Sequence, residues 1–219
     1  MANNGVGSID SIRKKITKVH ELILTSHHEA AHAVYGLLHF MKIDSVYVFE
    51  NKRSKRIEGF THYDLPNLSK ITDSEILVTF FKSEVCFRYA GLAAEKHLFK
   101  SISGSDKFPI FLRDGSSDDT LSAAALIKKH NLVAPGRKRY EYKKKIIKET
   151  LNDLKDHWNA VTIVSHALFQ KKSLNFLELK TLLIKKSNNK VFWKEQFKNI
   201  EYIFNDSLEL DDKVLSFTL

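Results

Sequence analysis

Three observations predict a mainly α-helical protein carrying one small β-hairpin or sheet. The 219 residues include only three prolines and eight glycines, too few to punctuate a loop-rich or all-β chain. Apolar residues recur at helical spacing over most of the length. One stretch, residues 43–63, instead alternates with a period of two and is rich in β-branched and aromatic side chains.

Taken in order, residues 1–8 are polar, lack the apolar core of a signal peptide, and read as a disordered N-terminus. Residues 9–20, with Ile12, Ile16 and Val19 on one side, predict a basic amphipathic helix, and residues 21–41 a second, strongly apolar one. Ile43 to Phe49 and Ile57 to Tyr63 predict two strands, joined by the polar turn Glu50 to Arg56 and closed by Pro66. Thr72-Asp73-Ser74-Glu75 reads as a capping box, with Glu75 three residues after Thr72, and opens a helix running to about Lys100. After a polar loop containing Pro109, a helix begins near Asp118 or Asp119, and two more span 137–170 and 176–186. Residues 9–185 form one domain in this reading. Residues 186–219, with Phe192, Trp193, Phe197 and Ile203, form an extension packed on it, too short in pattern to assign.

Composition excludes several classes. With 43% hydrophobic and 28% charged residues the chain is globular and soluble, not disordered. Its single cysteine, Cys86, rules out an internal disulfide and fits a reducing cytoplasm; set among Val85, Phe87 and Tyr89, it is a small core residue. No run is long enough to cross a bilayer, so no membrane partner is expected. The net charge of +9 raises nucleic acid as a partner, and the densest block is Arg137 to Lys145. That block reads as the solvated start of a helix, and no helix-turn-helix, zinc-finger or RNA-recognition signature occurs, so nucleic acid is not expected.

The chemistry concentrates in His28-Glu29-Ala30-Ala31-His32. Two histidines four apart lie about one turn from each other on one helix face, so both imidazoles can reach one tetrahedral metal, with places left for a third ligand and a water. Glu29, next to the first ligand, is placed to take a proton from that water as general base. Leu22, Ile23 and Leu24 before the motif, and Val34, Leu37 and Leu38 after it, bury the helix as such a site requires. For the third ligand, a continuation of the same helix fails, because Gly36 and His39 each fall one position too late for the H-E-x-x-H-x-x-G-x-x-H pattern. Two schemes stay open on spacing: a downstream glutamate (Glu75, Glu84 or Glu95), or an aspartate at Asp118-Asp119, residues that serve equally well as a helix cap.

The motif, followed by Gly91-Leu92-Ala93-Ala94-Glu95 and Gly115-Ser116-Ser117-Asp118-Asp119, resembles in order the HEAGHA, GRAAE and GASND patterns of the peptidase domain of FtsH-type zinc metalloproteases. The hairpin between the first two blocks matches, and so does the stretch Leu151 to Leu179; the likeness covers roughly residues 18–185. It implies a helical zincin-like metallopeptidase domain with Asp119 as third zinc ligand beside His28 and His32. Glu95 becomes a supporting carboxylate, and Gly91, Ala93 and Ala94 let the second helix pack closely on the zinc helix. Ala31 stands for the family glycine, Leu92 for its arginine and Asp118 for its asparagine. No G-x-x-x-x-G-K-[ST] loop occurs and no membrane helix precedes the peptidase block. The expected activity is therefore zinc-dependent hydrolysis of flexible or unfolded polypeptides, not ATP-driven by this chain, with a homo-oligomer or a separate ATPase as further partners. The rival expectation is a non-catalytic binding or scaffold protein that retains the fold.

Overall fold

The computed structural model describes residues 9–69, 71–104 and 117–205; the segments 1–8, 105–116 (with Pro109) and 206–219 lie outside the described residues. Among these, seven helices surround a three-stranded antiparallel sheet, so the mainly α class with a small sheet holds. The elements are α1 (Ile9–Leu38), β1 (Lys42–Glu50), β2 (Ile57–Asp64), α2 (Ser74–Ser103), α3 (Ser117–Lys129), α4 (Arg137–Asp156), α5 (Trp158–Lys171), β3 (Ser173–Asn175), α6 (Phe176–Lys186) and α7 (Lys190–Asn205). No helix of the described residues is long and apolar enough to cross a membrane.

α1 is the central element and packs against α2, α5 and both strands of the hairpin. The two helices expected over 9–20 and 21–41 are one, because nothing between them breaks the helical hydrogen bonds. α1 ends at Leu38 rather than 41. Phe40 takes the left-handed conformation (φ 57°), and the Met41 N–H donates to the Gly36 carbonyl at 2.9 Å, the bond that closes a Schellman motif. A non-glycine residue there is strained, and the burial of the Phe40 ring, 4% exposed, offsets that cost.

The sheet order is β2-β1-β3. Strict alternation would place Ile43 on the face of Tyr47 and Phe49. Instead Ile43 is fully buried together with Val46 and Val48, because the β1–β2 register slips between Ile43 and Ser45. That bulge at Asp44 shifts the phase of the strand, and both apolar segments face the core. The third strand was beyond the reach of pattern: three residues carry no period, and only buried Leu174 marks its inward face.

Three further boundaries differ from the sequence reading. The cap of α2 is Asp73, not Thr72: its side chain accepts from the Glu75 and Ile76 N–H groups at 2.7 and 3.2 Å. The helix expected over 137–170 breaks at His157 into α4 and α5, with no proline or glycine to announce it. A capping box lies at α6, where Asn175 accepts from the Glu178 N–H at 2.9 Å and Glu178 accepts from the Asn175 N–H at 3.0 Å. The last described residues form α7, whose Trp193, Phe197 and Ile200 are buried and whose Gln196 donates to the Leu37 carbonyl at 2.6 Å, at the end of α1.

Removing that capping box has a measurable cost. Asn175→Ala is expected to lower stability by about 1 kcal/mol in urea denaturation while leaving metal content unchanged. An unchanged midpoint would show that the box does not hold α6.

Candidate metal centre

α1 supplies two imidazoles to one point. His28 and His32 are 4% and 3% exposed, and their Nε2 atoms stand 3.0 Å apart. Asp119, in the first turn of α3, brings its Oδ2 to 3.1 Å from His28 Nε2 and 3.2 Å from His32 Nε2. The three atoms form a nearly equilateral triangle. Ligand atoms sharing a tetrahedral zinc at its usual bond lengths stand about 3.3 Å apart, so the triangle matches one face of such a tetrahedron.

The hydrogen bonds on the far side of each ring decide which atoms carry lone pairs. His32 Nδ1 lies 2.7 Å from the carbonyl oxygen of Phe87, which can only accept, so the ring proton sits on Nδ1 and Nε2 presents a lone pair. His28 Nδ1 donates to Glu95 Oε1 at 2.8 Å, which turns its Nε2 toward the cluster. Both partners sit on α2, so the α1–α2 contact orients both rings. Three electron-rich atoms this close share either a proton or a cation, and a divalent metal fits the donor set. The cluster His28, His32 and Asp119 is the group with metal-binding geometry among the described residues.

Electrostatics agree. Burial alone pushes His28 down, but the carboxylates of Glu95 and Asp119, with Glu29 beside them, hold its pKa well above the ordinary imidazole value, so Nε2 readily takes up a proton that a metal ion bound there would displace. Burial likewise pushes Asp119 up, and the two imidazoles overcome it, holding the carboxyl well below the usual carboxylate range. The site favours negative charge on Asp119 and positive charge between the rings.

Glu29 is 5% exposed, and its Oε2 accepts a hydrogen bond from the Thr61 hydroxyl at 2.7 Å. Its side chain lies against Gly59 of β2, where a Cβ would stand 2.6 Å from Oε1 and collide with the carboxylate. Gly91 does the same for His28: a Cβ there would fall on the imidazole ring. A cavity of about 410 Å³ opens over the site, lined by Thr25, His28, Glu29, Gly59, Glu95 and Asp118 among others.

The structure therefore brings together His28, Glu29, His32 and Asp119. Of the glutamates considered as ligands, Glu95 sits behind His28 on its Nδ1 side, Glu84 is buried, and Glu75 lies exposed in the first turn of α2. His39 is stacked on Tyr35 with ring centroids 4.3 Å apart, beyond the end of α1. Sequence reasoning missed Gly59, Thr61 and the Phe87 carbonyl. A glycine interrupting an alternating strand is the signal that marked Gly59, since it points to close approach of another group. Thr61 and a backbone carbonyl carry no signal of their own.

Fold and site together define a mainly helical protein with an H-E-x-x-H helix and a His-His-Asp cluster. No protein-family model matches the chain, and no curated protein matches it.

Two substitutions test the centre directly. Asp119→Ala should abolish tight zinc binding, read by elemental mass spectrometry of the purified protein. Glu95→Gln should weaken it roughly 10–100-fold in competition with a chromophoric chelator, because it removes the charge behind His28. Unaltered zinc affinity in both variants would move the metal elsewhere.

Proposed function

We propose that this protein is a zinc-dependent metalloendopeptidase of the HExxH type, hydrolysing peptide bonds in flexible or unfolded polypeptides. The observation that carries the reading is the triangle of His28 Nε2, His32 Nε2 and Asp119 Oδ2, 3.0–3.2 Å on a side, with the buried carboxylate of Glu29 on the next residue of the same helix. The order of the three motifs shared with FtsH-type peptidases supports it. Leu92, where that pattern has arginine, is core-packed at 6% exposure, so the departure removes no group from the cluster.

His28, His32 and Asp119 would hold the zinc. Bound there, the ion supplies Lewis-acid polarisation of a carbonyl and lowers the pKa of water to near neutrality. Glu29 is the base that takes the proton of the attacking water and returns it to the departing amine. Thr61 fixes one carboxylate oxygen, which sets the plane of the group, and Gly59 leaves it the space it occupies. The burial of Glu29 beside the cavity excludes competing bulk water from the proton it carries.

A route for substrate follows from the sheet. β2 lies at its edge, with no strand on its far side among the described residues, and residues 57–60 border the cavity that His28 and Glu29 line. An extended peptide pairing with that edge would lay its backbone alongside Glu29. Nothing in such pairing selects a side chain, which suits a peptidase of unfolded chains.

The test is hydrolysis of a fluorescently labelled unfolded protein by the zinc-loaded chain. Cleavage should stop on chelation and return with zinc, and Glu29→Gln should retain zinc while losing at least about a hundredfold in rate. A zinc-loaded chain that leaves every unfolded substrate intact favours the scaffold reading; full activity in Glu29→Gln removes that residue from its role.

A further inference from the structure

We propose that the uncovered face of the sheet binds single-stranded nucleic acid, stacking its bases on aromatic rings and seating its phosphates on the hairpin turn. One face of the sheet is core: Val46, Val48, Thr61 and Leu174 are buried. Alternation sends Tyr47 and Phe49 of β1, and Phe60 and His62 of β2, to the other face. That face stays open to solvent among the described residues, with Phe49 43% and Phe60 51% exposed.

The four rings form one patch. Tyr47 and Phe60 are paired across the strands with centroids 6.1 Å apart, Phe49 lies 5.9 Å from Tyr47, and His62 lies 4.6 Å from Phe60. The Tyr47 hydroxyl and His62 Nε2, 3.1 Å apart, share a hydrogen bond that ties the rings in place. Contiguous exposed aromatic surface marks recognition, and the charge beside it indicates what is recognised.

That charge is positive. Lys52, Arg53, Lys55 and Arg56 occupy the exposed turn at the tip of the same hairpin. The turn has a fixed shape: the Asn51 side-chain oxygen accepts from the Arg53 and Ser54 N–H groups at 2.8 and 3.1 Å, and the Lys55 N–H donates to the Asn51 carbonyl at 2.8 Å. Of the neighbouring acids, Glu50 pairs with Lys18 at 2.6 Å and Asp44 with Lys42 at 3.6 Å, while Glu58 keeps its charge beside Asn51 and Ser54 at 2.9 and 3.0 Å, so the four cations leave the turn net positive. Cations beside open aromatic rings suit a polymer that offers both phosphates and unpaired base faces, whereas a duplex hides its base faces. The basic block at the start of α4 is a different surface, and there Arg137 pairs with Glu141 at 3.0 Å and Lys144 lies over its neighbour Tyr140. The rings lie on the opposite side of the sheet from Gly59 and Thr61, but Tyr47, Phe49, Phe60 and Arg56 also line the cavity that His28 and Glu29 border, so the patch adjoins the candidate metal centre.

The experiment is fluorescence anisotropy of labelled oligo(U) and oligo(dT), about twelve nucleotides long, titrated with the full chain at low and moderate salt. Binding of either, weakened by salt and stronger than that of a duplex of equal length, is the expected result, and the tighter of the two names the polymer. The double variant Phe49→Ala/Phe60→Ala should lose at least about tenfold in affinity, and Lys52→Glu/Arg53→Glu/Lys55→Glu should lose binding. Both should keep the parent's zinc content and thermal midpoint, which separates loss of the surface from loss of the fold. Duplex binding as tight as single-strand binding overturns the proposal. So does unchanged affinity in the double variant, loss confined to Arg137→Glu/Lys138→Glu, or equal displacement by an acidic peptide.

Discussion

The structure depends on one convergence: two imidazole nitrogens and a carboxylate oxygen held within 3.2 Å of one another in a buried site. Such an arrangement needs a proton or a cation among the three atoms, since each would otherwise direct electron density at the other two. A cation among them would stabilise it, and the hydrogen bonds that place a proton on each Nδ1 turn both Nε2 atoms toward that position. Phe87 and Glu95, eight residues apart on α2, accept those bonds, so the contact between α1 and α2 is at once a packing contact and a chemical one. The cluster also joins α1 to α3 through Asp119, so a metal bound there would couple to the docking of α3.

Small residues make that contact close enough. Ala30, Ala31 and Ala33 on α1, and Ala90, Ala93 and Ala94 on α2, are fully buried, and Gly91 leaves the volume that the His28 ring fills. The buried charge of Glu95 is met by His28; its other oxygen, Oε2, is buried with no hydrogen-bond partner. An orphaned carboxylate oxygen in a core is costly, and the strong pair with His28 is what holds it there. The hairpin completes the site from the opposite side, with Thr61 and Gly59 fixing Glu29.

Much of this was legible in the sequence, and the failures have physical reasons. Helical spacing found the long helices, and alternation found β1 and β2, because both patterns extend over enough residues to be periodic. The bulge at Asp44, the break at His157 and the three-residue β3 were not legible, since each is decided by tertiary packing rather than by a local preference. Thr72 and Asp73 are both good caps, and only the backbone geometry selects Asp73. At the site, residue types and spacing marked His28, Glu29 and His32, while spacing alone left Asp119 level with three glutamates. The aromatic patch was hidden for another reason: its two pairs of rings lie on separate strands, and only the register of β1 against β2 sets them side by side.

The central claim is that His28, His32 and Asp119 share one metal ion. Anomalous diffraction at the zinc edge from crystals of the zinc-loaded protein tests it most directly. The predicted result is one peak within about 2 Å of His28 Nε2, His32 Nε2 and Asp119 Oδ2 together. A map with no peak there, or with its zinc on other residues, would contradict it.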